Sequence, residues 1–161
     1  MGTVNVICVG KLKEAYWRDA CSEYLKRLGA FCKPNVVELP ESRLSQNPSN
    51  GEIAAALSAE AKLMSPYIEQ KGAYNIAMCI EGKMMSSEEL SAKLEQAGVS
   101  GYGTVNFFIG SSFGLDEEIK RSCDLRLSIS KMTLPHQLAR VVLLEQIYRG
   151  YSILSGSKYH K

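Results

Sequence analysis

The chain has 161 residues, of which 45% are hydrophobic and 22% are charged, and its formal net charge is +2. This length and balance predict one globular domain, residues 1–161, and leave little room for a second. No apolar run is long enough to cross a bilayer, and the N-terminal segment MGTVNVICVGK lacks the basic start and apolar stretch of a signal peptide. We therefore expect no membrane segment and a cytoplasmic location.

The cysteines and histidines argue against disulfides and metal sites. Five cysteines are an odd number, and they are widely spaced and mostly embedded in apolar segments, which predicts packed thiols in a reducing compartment. These residues are Cys8, Cys21, Cys32, Cys79 and Cys123. With two histidines and no C-x-x-C pair, the sequence predicts no metal site.

The first elements alternate strand and helix patterns. TVNVICV, residues 3–9, predicts a strand, and apolar residues from Trp17 to Leu28 recur at helical spacing. NVVEL, residues 35–39, predicts a second strand. The turn-forming residues of PESRLSQNPSNG, 40–51, predict a loop.

The middle of the chain repeats this alternation. Residues 53–64 have the apolar spacing of a helix, which Pro66 should end or kink. AYNIAMCI, residues 73–80, predicts a third strand that is apolar on both faces, as parallel sheets require. Ser86 and Glu89 then predict a capping box at the start of the next helix.

The last third contains two further strands and two helices. TVNFFI, residues 104–109, and LRLSI, residues 125–129, predict strands, and residues 115–123 between them predict a short helix. The glycine-bounded segment GSSFG, 110–114, predicts a loop. Pro135 suits the first position of a long final helix.

Strands that alternate with helices predict an α/β domain, with a mostly parallel sheet and helices on both faces. Ligands bind such sheets beyond the carboxyl ends of the strands. We therefore expect a pocket at the loops EGKMM, GSSFG and SKMTLPHQ, which follow the third, fourth and fifth strands. The last helix is apolar around more of its circumference than one core contact needs, which predicts a homodimer.

Charge is unevenly distributed along the chain. Residues 1–119 contain 11 Lys or Arg and 15 Asp or Glu, whereas residues 120–161 contain 8 and 2. The C-terminal quarter is therefore basic. This indicates either a polyanionic partner bound through its phosphates or an ordinary solvated surface.

The GSSFG segment also matches the G-x-S-x-G motif of serine hydrolases. Ser112 would be the nucleophile, and Asp124 and His136 follow in the chain order of a hydrolase triad. The chain is short for an α/β-hydrolase, and a five-residue pattern of common residues arises easily by chance. The alternative is a loop whose glycines allow the backbone to approach a ligand closely.

Several basic and aromatic residues lie near the C-terminus. His136 either caps local carbonyls at the start of the helix or forms, with Arg140 one turn later, a positive face turned away from the apolar one. Arg149 either joins this surface or pairs with Glu145, four residues earlier. The tail GSKYHK offers an aromatic ring beside cations, which suits an unstacked base and its phosphates unless the tail is disordered.

Over its full length the sequence resembles the SPOUT-class methyltransferases that act on pseudouridine in large-subunit ribosomal RNA. The resemblance runs from VGKLKEAYW and EYLKRLG through IEGKMMSSEEL and FFIGSSFGL to LSISKMTLPHQLARVVLLEQIYR and the terminal YHK. The closing segment is the most specific part. One residue differs from the usual pattern, because Ser111 stands where relatives usually have a second glycine after Gly110.

The resemblance implies a C-terminal trefoil knot, a homodimer, and S-adenosylmethionine bound in the knotted loops. It places the cofactor at Met78, Gly110, Ile129, Ser130, Lys131, Met132, Thr133 and Leu134. The implied product is N3-methylpseudouridine in helix 69 of 23S rRNA, the stem-loop of an intersubunit bridge. The implied substrate is the assembled ribosome.

This chemistry suggests roles for the C-terminal residues. The imide N3 of pseudouridine is a poor nucleophile until it loses its proton, so a basic site is needed. We expect Tyr159, His160 and Arg140 to be catalytic, with His160 the better base near neutral pH. The predicted RNA-binding residues are His136, Arg149, Lys158 and Lys161. A serine hydrolase and a non-catalytic ribosome- or RNA-binding module are the alternative functions.

Overall fold

The structure, a computed structural model, describes residues 2–161. Within them the strands are β1 Thr3–Val9, β2 Lys33–Leu39, β3 Ala73–Met84, β4 Thr104–Ile109 and β5 Leu125–Ser128. The helices are α1 Ala15–Leu28, α2 Asn50–Ile68, α3 Ser87–Val99, α4 Glu117–Ser122 and α5 His136–Leu154. The strands form one parallel sheet in the order β2-β1-β4-β3-β5. The predicted α/β class is confirmed.

Helices cover both faces of the sheet, as predicted. Phe107 and Phe108 are adjacent in β4 and point to opposite faces, and both are fully buried. Phe107 belongs to the core beneath α1, α3 and α5, whereas Phe108 belongs to the core beneath α2 and α4. Burial of each ring stabilises the fold by roughly 1.5–3 kcal/mol.

The packed cysteines agree with the expectation from sequence. All five are free thiols; Cys8, Cys21 and Cys32 are buried, and Cys79 and Cys123 are partly buried. Burial raises the pKa of Cys8 to about 12, so this thiol stays protonated. In residues 2–161, no helix combines the length and the apolar character needed to span a membrane.

β3 is longer than predicted, and its extension pairs with β5 a second time. Met78 and Lys83 both lie opposite Leu127, so residues 79–82 bulge out before the strand pairs with β5 again. Gly82 lies in this bulge, where a Cβ atom would come within 2.8 Å of the Leu127 backbone. Most of the EGKMM segment is therefore strand, and its prediction as a loop was wrong.

α2 also differs from its prediction at both ends. It begins at Asn50 because Ser49 and Glu52 form a capping box that the sequence reading overlooked. Pro66 does not end the helix, which continues to Ile68. Proline removes one amide donor, and so close to the end of a helix the loss affects only the last turn.

The start of α3 was predicted correctly, and that of α5 was displaced by one residue. Ser86 and Glu89 form the predicted capping box. Pro135 is the N-cap of α5 and not its first helical residue.

A row of asparagines crosses four strands at one level. Asn35, Asn5, Asn106 and Asn75 lie side by side in β2, β1, β4 and β3. Each amide nitrogen donates to the oxygen of the next side chain: Asn35 to Asn5 at 3.0 Å, Asn5 to Asn106 at 2.8 Å, and Asn106 to Asn75 at 3.0 Å. A slip of one residue would turn an asparagine to the other face, so this chain of bonds specifies the register.

The same row caps the C-terminus of α2. Asn106 donates to the carbonyl of Tyr67 and Asn75 to that of Ile68, both at 3.0 Å. These carbonyls belong to the last turn of the helix, where no further amide of the helix can reach them. The row therefore joins the sheet to α2.

We expect Asn106→Ala to lower the free energy of unfolding by about 2 kcal/mol or more, because it leaves the buried Nδ2 of Asn5 and Oδ1 of Asn75 without their partner and removes one of two donors to the Tyr67 carbonyl. Urea denaturation followed by circular dichroism measures this change. Asn35→Ala is the matched control at the edge of the sheet; it breaks one bond and should cost only about 1 kcal/mol. Equal losses in the free energy of unfolding for the two variants would contradict the inference that the central asparagines of the row stabilise the sheet.

Candidate active site

A cavity of about 820 Å³ lies at the carboxyl ends of β3, β4 and β5. Its walls come from residues 78–81, the β4–α4 loop and the β5–α5 loop, with Lys120 and Ala139 from the adjoining helices. Small-molecule sites in proteins commonly have this size and position. The structure thus places a cavity where the sequence predicted a pocket.

The cofactor residues implied by the resemblance converge on this cavity. Met78, Gly110, Ile129, Ser130, Met132, Thr133 and Leu134 all line it, and Lys131 does not. Internal hydrogen bonds shape the β5–α5 loop: Ser128 Oγ donates to the carbonyl of Ser130, and the amide of Met132 donates to Ser130 Oγ, both at 3.0 Å. Met132 is 78% exposed at the cavity mouth.

The β4–α4 loop is a tight turn that needs glycine at two positions. A Cβ atom on Gly110 would lie 2.1 Å from the carbonyl oxygen of Gly114. Gly114 has a φ of 82°, and its amide donates to the carbonyl of Ser111 at 2.8 Å. The turn forms with serine at position 111, so it tolerates a side chain where relatives usually have glycine.

The hydrolase triad is not assembled. Ser112 and His136 both line the cavity, but Asp124 precedes β5 at the opposite end of that strand. The Asp124 carboxylate instead accepts a hydrogen bond from the backbone amide of Asn75 at 2.7 Å. Without an acidic group to orient His136, the geometry does not support Ser112 as a nucleophile.

A buried carboxyl group lies behind the β4–α4 loop. Glu60 in α2 is only 4% exposed. It accepts a hydrogen bond from the backbone amide of Ser42 at 3.4 Å, and the nearby Ser111 side chain also favours its ionised form. Burial raises the pKa of Glu60 above its ordinary value. The sequence reading missed this residue because a single glutamate on a helix is normally exposed.

Two charged residues complete the cavity wall, and the sequence reading missed both. Lys120 of α4 and Glu81 of β3 form an ion pair with an Nζ–Oε1 distance of 2.5 Å. The hydrogen bond from Lys120 lowers the pKa of Glu81. Glu81 lies in the EGKMM segment, which was expected at the pocket, so its position in the sequence could have identified it. Nothing in the sequence distinguished Lys120 from other surface lysines.

Arg140 does not lie on an exposed positive face with His136, so that prediction was wrong. It is 2% exposed. Its Nη1 pairs with Glu38 Oε2 at 2.9 Å, and its Nη2 donates to the carbonyl of Gly10 at 3.1 Å. Both partners are distant in sequence, so helical spacing alone could not reveal them. Arg140 ties the second turn of α5 to β2 and to the end of β1.

The C-terminal tail folds back onto α5. The Tyr159 ring packs edge-on against Tyr148, with ring centroids 4.7 Å apart, and the Arg149 guanidinium lies 4.8 Å from the Tyr159 centroid. Glu145 accepts a hydrogen bond from the Tyr159 hydroxyl at 3.2 Å and pairs with Arg149 at 2.5 Å. The Glu145–Arg149 pair was one of the two predicted alternatives for Arg149.

His160 is held between two charged groups. Its Nδ1 lies 3.3 Å from Arg149 Nη1, and its Nε2 lies 2.7 Å from Glu88 Oε1. A guanidinium can only donate, so Nδ1 accepts and Nε2 carries the proton that is donated to Glu88. Of the residues predicted to be catalytic or to bind RNA, His136 lines the cavity, whereas Arg149, Lys158, Tyr159, His160 and Lys161 do not.

Across residues 2–161, no group of three or more His, Cys, Asp or Glu side chains is arranged to hold a metal ion.

We expect Gly110→Ala to lower the free energy of unfolding by roughly 1–3 kcal/mol, because the new Cβ overlaps the Gly114 carbonyl. Gly98→Ala, in α3, is the control: a Cβ there meets nothing within 4 Å, and the helix should gain about 0.5–1 kcal/mol. Urea denaturation of both variants measures the difference. An unchanged stability for Gly110→Ala would show that the turn tolerates a side chain.

We expect Glu60→Gln to be more stable than the wild type at neutral pH. A carboxyl group whose pKa is raised in the folded state loses stability as pH rises through its ordinary value, and glutamine removes that loss. The advantage should therefore grow from pH 4 to pH 8 in urea denaturation. Glu69→Gln, at an exposed position just after α2, should show little such trend. A Glu60→Gln variant that is less stable throughout would mean that the hydrogen bonds outweigh the burial.

Comparison with known proteins shows the family to which the chain belongs. Residues 3–160 match the family model described as "Predicted SPOUT methyltransferase". Several relatives carry the name ribosomal RNA large subunit methyltransferase H. The protein from Streptococcus equi subsp. zooepidemicus is 44% identical and that from Bifidobacterium adolescentis is 45% identical, each over 158 residues that cover 98% of this chain and 99% of the relative.

A solved structure supports the same fold. A "probable methylase family protein" from Haemophilus influenzae superposes with a TM-score of 0.56 at 12% sequence identity, covering 98% of this chain and 70% of that one. The likeness at this low identity concerns the fold alone. The family match and the two full-length relatives establish that the chain belongs to the SPOUT methyltransferase family.

Proposed function

We propose that the protein transfers a methyl group from S-adenosylmethionine to N3 of a pseudouridine in helix 69 of 23S rRNA, on the assembled ribosome in the cytoplasm. The main support is a cavity of about 820 Å³ at the strand ends of a SPOUT chain, lined by most of the residues at which the resemblance places the cofactor. The names of the full-length relatives support ribosomal RNA as the substrate.

The cavity fits S-adenosylmethionine in size and in chemistry. The Gly110 turn and residues 129–134 would hold the adenosine against exposed backbone and apolar side chains. Glycine at position 110 keeps the wall free of a side chain. When bound, the cofactor supplies an electrophilic methyl group on its sulfonium.

The return of β3 to β5 supports the proposed trefoil knot. Leu127 pairs with the strand before and after the bulge of residues 79–82. The close contact between Gly82 and the Leu127 backbone leaves no room for a side chain there. We propose that the chain after β5 passes through the loop that this bulge helps to form, and that the cofactor binds inside the knot.

We further propose a homodimer in which the tail of one protomer meets the cavity of the other. Large apolar side chains are exposed around the cavity mouth, namely Ile80, Phe113 and Met132, with Met84 nearby on β3. The tail residues Tyr159 and His160 do not line the cavity of their own protomer. A second copy would cover the apolar rim and bring a tail to the cavity.

The contacts of the tail favour His160 over Tyr159 as the proton acceptor. Burial and the neighbouring Glu145 raise the pKa of Tyr159, which keeps its phenol protonated. In His160 the unprotonated ring nitrogen is Nδ1, which accepts a hydrogen bond from Arg149 Nη1; when an RNA phosphate draws Arg149 away, Nδ1 can take up the N3 proton. Arg149, Lys158 and Lys161 would then bind phosphate or the developing oxyanion. Arg140, which is buried against Glu38, would position α5 and not contact the substrate.

The direct test is transfer of labelled methyl from S-adenosylmethionine to ribosomes that lack this modification. Nucleoside mass spectrometry of the 23S rRNA would then identify the product. We expect N3-methylpseudouridine in helix 69. Salt-sensitive ribosome binding without any transfer would overturn the proposal and favour a non-catalytic RNA-binding module.

We expect His160→Ala to reduce turnover by about 10²-fold or more, the usual effect of losing a general base, with little change in S-adenosylmethionine affinity. His160→Gln is the matched control, because its amide can still accept from Arg149 and donate to Glu88. If His160 is the base, both variants lose turnover in a single-turnover assay. Normal turnover in His160→Gln would assign the residue a positioning role.

A further inference from the structure

The Glu81–Lys120 pair is an unusual feature of an otherwise mostly apolar cavity. Of the residues that line it, only Glu81 and Lys120 carry a formal charge at neutral pH, His136 aside. Their charged atoms are 2.5 Å apart. The two residues come from different elements, β3 and α4, so the fold brings opposite charges together at one position of the wall.

The ammonium group of Lys120 is held in place by two carboxylates, whereas the Glu81 side chain is 53% exposed. The Lys120 side chain is 16% exposed, and its Nζ also lies 3.8 Å from Glu117 Oε2. Glu117 in turn pairs with Arg126 at 3.5 Å. Lys120 is thus enclosed by two carboxylates, and Glu81, whose pKa Lys120 lowers, is ionised at neutral pH. The pair offers one acceptor and one donor to the cavity.

The ligand has a matching charge distribution. The adenosine end of S-adenosylmethionine is uncharged, whereas its amino-acid end carries an ammonium and a carboxylate. Charged groups are costly to bury unless they are paired and hydrogen-bonded. Of the described wall residues, this pair provides both complementary charges in one place.

We propose that Glu81 and Lys120 recognise the amino-acid end of the cofactor, Glu81 binding the α-ammonium and Lys120 the α-carboxylate. This inference rests on the proposed function. The adenosine is then directed towards the Gly110 turn and residues 129–134, which are mostly uncharged. The pair would be a specificity determinant that separates ligands with an amino-acid end from ligands without one.

Two sulfides give a matched test by isothermal titration calorimetry. S-adenosylhomocysteine and 5′-methylthioadenosine share the adenosine and a neutral sulfur, and the amino-acid end is present only in the first. We expect Glu81→Gln and Lys120→Gln each to weaken binding of S-adenosylhomocysteine by 10-fold or more. Binding of 5′-methylthioadenosine should change by less than 2-fold.

Glu117→Gln is the control variant, because Glu117 contacts Lys120 but does not line the cavity. It should leave both affinities within 2-fold of wild type. Unchanged binding of S-adenosylhomocysteine in Glu81→Gln and Lys120→Gln would overturn the inference. An equal loss of both ligands would also overturn it, because the pair would then shape the wall or contact the ribose.

These measurements distinguish a failure of the Glu81–Lys120 inference from a failure of the proposed function. If the wild type binds neither sulfide and transfers no methyl to ribosomes, the proposed function fails. If the wild type is active and the variants bind S-adenosylhomocysteine normally, only the role of Glu81 and Lys120 fails.

Discussion

The asparagine row is the interaction on which the arrangement of the sheet depends. Hydrophobic burial drives the strands together but does not distinguish one register from another two residues away, because apolar side chains recur on each face. The bonds between Asn5, Asn106 and Asn75 make that distinction, since a displaced strand would bury amide groups without partners. By holding β4 and β3 at one level, the row also aligns the carboxyl ends of these two strands, which border the cavity.

The cavity is formed by backbone that leaves those aligned ends in an unusual way. β4 ends in a tight turn, in which the Gly114 carbonyl lies so close to Gly110 that position 110 has no room for a side chain. β3 bulges at residues 79–82 before it pairs with β5 again. Glycine permits both close approaches, at positions 110 and 82. Glu60 lies behind this turn, where the Ser111 side chain, which a glycine would lack, favours its ionised form.

Most of the cationic side chains in the C-terminal quarter form ion pairs within the molecule. Arg140 pairs with Glu38, Arg149 with Glu145 and Lys120 with Glu81. Lys131, Lys158 and Lys161 have no acidic side chain within 4.0 Å among residues 2–161. The basic surface available to a polyanion is therefore smaller than the net charge of this segment suggests, and much of it lies at the tail.

The sequence alone determined the α/β class, the approximate strand positions and two of the three segments predicted as loops at the cavity, because hydrophobic period and turn residues are local patterns. It also contained a signal that was overlooked, an asparagine in each of the strand segments TVN, KPN, AYN and TVN. Only the tertiary structure decided that Arg140 is buried and that Glu81 meets Lys120. These contacts join residues 102 and 39 positions apart, and pairing at such separations follows from strand order and helix placement, which no local pattern specifies.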